Sequence, residues 1–182
     1  MPRHASTRWI GLFMGLTMLS SLMAIPLGMG IRIPLPLPYN WHKWLHILGA
    51  ILLLGNVIVS GFWVVRAYWA KDEPALRFAA KSVHWADAFF TAPGAFLILS
   101  NGLLLSQSWG GYWRTPWITI SFAMFGFTGF LWVVKLIPIQ ERLVGWAEDP
   151  APLPEAFYAD VKRWNVYGTI CTLLPLVATV LM

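Results

Sequence analysis

Of the four histidines in the chain, His46 is the one that lies clearly inside an apolar run, in KWLHILGA. Imidazole ligates haem iron and transition metals through a ring nitrogen. Gly49 follows on the same helical face, where a missing side chain lets a flat group or another helix come close. The pattern fits an axial haem ligand at His46 with room for the macrocycle at Gly49. It also fits a histidine hydrogen-bonded to a carbonyl or hydroxyl of a neighbouring helix. His42 precedes His46 by four residues, the spacing at which two histidines on one helix can share a metal ion. Its place at the edge of the run equally suits the membrane–water interface.

Asp87 and Lys135 are the other ionisable residues set against apolar runs. An unpaired charge there is costly, so a structural ion pair between them is the simplest expectation and a proton relay the sharper one. His84 lies three residues before Asp87. It cannot share an iron with His46, because some 20 helical residues of depth, roughly 30 Å at 1.5 Å per residue, separate them. A separate haem on His84 stays open. A haem on His46 would take Met23, Met29 or Met182, keep an open site, or use a second protomer. Met14, Met18 and Met23 also suggest copper, although methionine is an ordinary apolar side chain within a span.

The elements that must position these residues follow from composition. The chain has 182 residues, 58% hydrophobic and 12% charged, where a soluble domain carries about 25% charged residues. This is the balance of a membrane protein. Net charge is +5, but the basic residues are scattered and form no stripe for nucleic acid. Cys171 is the only cysteine, which excludes an intramolecular disulfide, a paired-cysteine zinc site and a c-type haem attachment. Phosphate-binding glycine loops, a Gly-x-Ser-x-Gly elbow and His-Glu-x-x-His are absent too.

Five apolar runs are long enough to cross a ~30 Å hydrocarbon layer as helices. The first holds 23 uncharged residues, Trp9 to Ile31. It exceeds the 7–15 residues typical of a signal peptide, and cleavage after Ala24 would leave Leu22 where a small residue is needed. It therefore reads as an uncleaved span, with Gly11 and Gly15 offering a small-residue contact surface. Ile31–Asn40, IRIPLPLPYN, is a stiff extended connector. The remaining helices are expected over about Trp41–Trp69, Ser82–Ser106, Pro116–Leu136 (with an extension past Pro138 toward Leu143) and Val161–Leu181. Between them, Ala70–Lys81 reads as a charged loop or turn and Gly145–Ala159 as the largest polar segment. Fold class is thus an all-α integral membrane protein: a four-helix up-down core over 41–182, preceded over 1–40 by an extra span and its connector.

Lys and Arg set the orientation. With the N-terminus inside, Arg3, Arg8, Arg66, Lys71, Arg77, Lys81, Lys135, Arg142, Lys162 and Arg163 lie inside, while Arg32, Lys43 and Arg114 lie outside. The expected location is a bacterial inner (plasma) membrane, with a cytoplasmic N-terminus and a periplasmic or extracellular C-terminus. Small and polar residues turn toward neighbouring helices in lipid. That places His42, His46, Gly49, Leu53, Asn56 and Ser60 on one inward face. The next three helices turn Asp87, Thr91 and Gly102, then Ser121, Thr128, Trp132 and Lys135, then Asn165, Thr169, Thr172 and Thr179, in the same way.

KWLHILGAILLLGNVIVSGFW, DAFFTAPGAFLILSNGLLL and FTGFLWVVKLIPIQERL together resemble a bacterial family of integral membrane proteins of unknown function. The resemblance covers about Trp41 to Met182, and Thr91-Ala92-Pro93-Gly94 and Pro138-Ile139-Gln140 are its more specific parts. The Lys-x-x-His-Ile opening is also similar to the start of HemJ-type protoporphyrinogen oxidases and of copper-resistance D-type membrane domains. That wider group includes b-type haem binders, and the matching residue here is His46. The resemblance thus implies haem b and a redox or electron-transfer role, with quinone or porphyrin-like substrates. Two further classes stay open: a non-catalytic or assembly subunit of a larger membrane complex or homo-oligomer, and a metal-ion carrier using His42 and His46.

Overall fold

The computed structural model describes residues 5–181. Met182, a candidate iron ligand, and Arg3, a topology marker, lie outside the described residues. All regular structure among the described residues is helical. Helix α1 (Ala5–Ser21) is followed by a short α2 (Ala24–Gly28), and the proline-rich connector leads to α3 (Tyr39–Ala70). A two-residue turn separates α3 from α4 (Glu73–Ala86). Lys71 takes the left-handed conformation at φ 52°, and the Asp72 carboxylate caps α4 by accepting from the Ala75 amide at 3.0 Å.

Helix α4 does not stop at Ala86. It passes through a π turn, Asp87–Thr91, into α5 (Ala92–Ser106). In the same way α6 (Pro116–Leu131) passes through a π turn, Trp132–Leu136, into α7 (Ile137–Glu148). Helix α8 covers Glu155–Leu181. Each π turn ends two residues before a proline, Pro93 or Pro138. A proline ring clashes with the carbonyl four residues back and offers it no N–H. The chain adjusts one residue earlier: the Ala92 amide donates to the Asp87 carbonyl, and the Ile137 amide to the Trp132 carbonyl.

Among the described residues, five helical stretches are long and apolar enough to span a membrane: Ala5–Gly28, Tyr39–Ala70, Glu73–Trp109, Pro116–Glu148 and Glu155–Leu181. Two of them begin or end well beyond the apolar limits read from sequence. Glu73–Trp109 has 37 residues, about 55 Å at 1.5 Å per residue, well past a ~30 Å hydrocarbon layer. The surplus is α4, which packs against α7. Between them and the start of α8 lies a dry cluster in which Phe157, Leu76 and Val161 have almost no exposure. The expected loops Ala70–Lys81 and Gly145–Ala159 are therefore mostly helix, and Arg77 explains how the rest is held. Its guanidinium donates to the carbonyls of Trp146, Asp149 and Ala151 and pairs with Glu73 at 2.7 Å. Asp160, buried on α8, pairs with Arg142 of α7 at 2.7 Å and Arg163 at 3.1 Å.

The apolar surface points outward. Trp44, Ile51, Phe62 and Trp63 of α3 are exposed, whereas His42, Gly49, Leu53 and Ser60 are buried. That inversion suits lipid as solvent. Helices α3 and α5 make the most extensive pairing among the described helices, and Gly49 and Gly94 allow their close approach. A Cβ on Gly49 would stand 2.8 Å from the Gly94 carbonyl oxygen, and one on Gly94 would stand 2.8 Å from that of Gly49. Helix α1 packs against α5 and the first π turn. Its Gly11 and Gly15 face away, with nothing within 4 Å of an added Cβ. The contact surface expected there is not used within the chain.

At the far end of the bundle, Gln107 clips the connector to the end of α5. It accepts from the Ile33 amide at 2.8 Å and donates to the Ile33 carbonyl at 3.2 Å.

Candidate functional site

The first π turn places Asp87 in the middle of the bundle. Its carboxylate is 4% exposed and accepts from three neutral donors. Asn56 of α3 reaches Oδ1 at 2.9 Å, Thr91 reaches Oδ1 at 2.7 Å, and Gln140 of α7 reaches Oδ2 at 2.7 Å. Asn56 also donates to the Thr91 hydroxyl at 2.8 Å, which leaves that hydroxyl's proton for Asp87. Both carboxyl oxygens are thus engaged.

The expected ion pair with Lys135 is corrected by this arrangement. Lys135 is exposed, and no salt bridge joins it to Asp87 among the described residues. The cause is the second π turn. Thr128, Trp132 and Lys135 share a face only while the helix stays α. The extra residue in the turn rotates Lys135 outward and brings Leu136 and Gln140 inward instead.

His46 faces a second region between α3, α5, α6 and α8. Its Nδ1 lies 2.9 Å from the Ile98 carbonyl, so in neutral imidazole Nδ1 carries the proton and Nε2 keeps its lone pair. The ring fits because Gly102 has no side chain: a Cβ there would sit 2.9 Å from His46 Cε1. A chamber of about 110 Å³ opens beside the ring, walled by Leu103, Ile118, Phe122, Phe125 and Ala178. Ser121, 5% exposed, also lines it, and its hydroxyl has no hydrogen-bond partner among the described residues.

Gly49 does not provide the clearance expected of it, because the backbone of α5 fills that space. Gly102, not singled out as a source of room, plays that part for the His46 ring. Neither Met23 nor Met29 lines the chamber; Met29 is largely exposed and Met23 packs against the Leu27–Tyr112 cluster.

His42 and His84 are taken up by protein partners. His42 is 3% exposed, enclosed by protein. Its Nε2 accepts from the Leu37 amide at 3.4 Å and its Nδ1 donates to Asn101 Oδ1 at 2.7 Å. With both nitrogens engaged, the shared His42–His46 metal site lacks a donor. No cluster of three or more His, Cys, Asp or Glu side chains suited to a metal ion occurs among the described residues. His84 is 1% exposed, and its Nε2 lies 2.9 Å from the Thr7 hydroxyl of α1, so that nitrogen is not offered to a haem.

The second and larger chamber, about 300 Å³, adjoins Asp87 between α3, α6 and α8. It shares Leu53, Phe125 and Pro175 with the His46 chamber as a common wall. Thr128, Asn165, Thr169 and Thr172, expected to face inward, all line it, Thr169 from an exposed position. Gln140 and Trp164 line it as well, without having been expected there. The signal for Gln140 was a lone amide two residues past Pro138 in an otherwise amphipathic stretch.

A five-span helical bundle with polar residues inside and aromatic residues outside is a polytopic integral membrane protein. The family described as predicted integral membrane protein (DUF2269) matches residues 41–182, and the chain belongs to it. No curated protein and no solved structure matches the chain.

Proposed function

We propose that the protein is a b-type haem-binding protein of the membrane with a redox role, in which His46 Nε2 is the iron's protein ligand. The observation that carries this is the hydrogen bond from His46 Nδ1 to the Ile98 carbonyl. Metal-ligating histidines characteristically donate their other nitrogen to a carbonyl or carboxylate, which fixes the tautomer and raises ligand basicity. The Lys-x-x-His-Ile similarity to HemJ-type enzymes points to the same residue.

The donor suits haem iron, but the chamber as it stands is smaller than a macrocycle needs. The chamber beside His46 is about 110 Å³, below the ~300–1,000 Å³ usual for ligand pockets. Its width is set by Ile118, Phe122 and Phe125 of α6, a helix that packs mainly on α8 rather than on α3 or α5. A macrocycle fits only if these three side chains turn away. The lining carries no second histidine and no methionine, so His46 is the one side chain of the lining that would hold the iron.

The test is the visible spectrum of the purified full chain. A Soret band that His46→Ala abolishes and His42→Ala leaves in place is expected. No band in wild type, or one unaffected by His46→Ala, defeats the reading. The same reading keeps the N-terminus cytoplasmic in a bacterial inner membrane, on the ten-to-three division of Lys and Arg.

A second reading, membership of a larger membrane assembly, is favoured by the Gly11–Gly15 face of α1. It is turned outward, with nothing among the described residues within 4 Å of a Cβ at either glycine, the arrangement that lets another helix approach closely. A particle mass of one chain in native mass spectrometry from lipid nanodiscs would dismiss it.

A further inference from the structure

Two loops are held side by side at the end of the bundle where α2 leads toward α3 and α5 toward α6. The Gln107 side chain takes both main-chain polar groups of Ile33, at 2.8 and 3.2 Å. The Tyr112 hydroxyl donates to the Ala24 carbonyl at 2.8 Å. These two pins set segment 27–32 against segment 107–114, and residues of both line a cleft of about 280 Å³. Gly30 and Gly111 turn the chain there in the left-handed conformation, at φ 80° and 95°, so part of the lining is bare main chain. Gly28 admits Trp113: a Cβ on Gly28 would stand 2.7 Å from Trp113 Nε1. That clearance sets an indole N–H against the wall of the cleft, since Gly28 and Trp113 both line it.

The charge at this cleft is one-sided. Among the described residues, the Lys and Arg side chains at this end of the bundle are Arg32, Lys43 and Arg114. Arg32 and Arg114 line the cleft, and Lys43 does not. Neither arginine forms an ion pair among the described residues. No Asp or Glu stands at this end to offset them. Asp72 and Glu73 lie at the opposite end, as do the five acids between positions 141 and 160, and Asp87 is mid-bundle. Two like charges on one cleft repel, and an anion between them removes that cost.

From this we propose that the cleft binds a phosphate group, supplied by a membrane phospholipid of net negative charge. Guanidinium groups match phosphate oxygens in paired hydrogen bonds. Both arginines are exposed, so their side chains can turn onto an anion without disturbing the packing. The lipid source follows from the surroundings. Met29, Ile31 and Trp113, which also line the cleft, are exposed apolar side chains, and Trp109 beside Gly110 is exposed too. Tryptophan gathers at the level of lipid headgroups, and the cleft lies where the spans end, between the close of α5 and the start of α6.

The experiment titrates the purified full chain in detergent with dioleoylphosphatidylglycerol and, separately, dioleoylphosphatidylcholine, and counts bound lipids by native mass spectrometry. The first phosphatidylglycerol should bind about tenfold more tightly than phosphatidylcholine, because each basic group near an anionic lipid contributes a several-fold preference. Arg32→Gln and Arg114→Gln should each cut that preference about threefold, and together bring it close to one, on the same per-charge contribution. Lys43→Gln removes equal charge at the same end but outside the cleft, and should leave the preference unchanged. Thermal stability should match wild type in all of these variants, because the three side chains are exposed. Equal binding of the two lipids, or a preference that survives the double substitution, overturns the proposal. So does a preference lost equally in Lys43→Gln, which would mean diffuse surface charge. Inorganic phosphate in millimolar excess should leave the bound lipid in place; if it displaces phosphatidylglycerol, the cleft belongs to the free anion and the lipid assignment fails. Neither arginine lines the chamber beside His46, so this result stands apart from the haem reading.

Discussion

Gln140 donates to Asp87 across 2.7 Å, although 53 residues separate them and each follows or opens a different π turn. This bond ties the α4–α5 span to the α6–α7 span at the depth where both helices are wound irregularly. Asp87 is thereby tied to Asn56, Thr91 and Gln140 rather than to Lys135, which lies on the same helical span as Gln140.

Gln140→Leu should therefore lower stability by about 1–3 kcal/mol, because it strips a buried carboxylate oxygen of its donor. Asp87→Asn should cost a similar amount. The double variant should fall short of the sum, since the two residues share one bond. Thermal unfolding in a single detergent reads all four proteins. Strict additivity would show that the pair does not act as a unit.

Gly102→Ala should disturb His46 without touching its chemistry. The added carbon would stand 2.9 Å from Cε1, so the ring must tilt and its bond to Ile98 must lengthen. A shifted or weakened Soret band is expected where His46→Ala gives none. Wild-type absorbance in Gly102→Ala would show that the ring position is not coupled to the cofactor.

Phe125→Ala offers the reverse case. It widens the chamber beside His46 on the α6 side, and more haem per chain is expected after reconstitution, measured by the pyridine haemochromogen assay. Lower haem content than wild type would mean that the aromatic wall contacts the ring instead of blocking it.

Gly49→Ala and Gly94→Ala should each cost about 1–3 kcal/mol, the range for overpacking a tight core. Each new carbon meets main chain at 2.8 Å, and main chain cannot swing aside. Gly126→Ala, where nothing lies within 4 Å, is the control and should be neutral. Unfolding temperatures separate the two classes directly.

Arg77→Ala should loosen the Trp146–Ala151 connection, whose carbonyls Arg77 holds. Limited proteolysis should cut there in the variant and not in wild type. Arg77→Lys should rescue poorly, because one ammonium lacks the several directed donors of a guanidinium.

Much of this fold is legible in the sequence because lipid leaves few choices. Uncharged runs near 20 residues must be helices, and the inward face of α3 follows from 3.6-residue spacing; in α8 the buried residues Trp164, Cys171 and Ala178 lie one position before the expected Asn165, Thr172 and Thr179, and Thr169 and Thr179 are exposed. The register of Lys135 was not legible. Periodicity assumes a uniform helix, and Pro138 changes the winding just where Lys135 sits. His42 misled for another reason. Its neighbours Trp41 and Lys43 look interfacial, but the connector folds back so that the Leu37 amide and Asn101 enclose the ring. Gln140 and Trp164 were obscured because an amide beside charged residues, and a tryptophan near a span's end, both read as ordinary boundary residues.

The π turns carry one more implication, for how this chain can change in length. A π turn is an α-helix with a single additional residue wound into one turn. Removing one residue from Val133–Lys135 would convert that segment to plain α-helix while both flanks keep their facing, so Gln140 would still meet Asp87. The same deletion one turn earlier, inside α6, would rotate everything beyond it by about 100°. Single-residue gaps among natural variants of this sequence should therefore gather at these two segments, Asp87–Thr91 and Trp132–Leu136, and be scarce elsewhere in the spans.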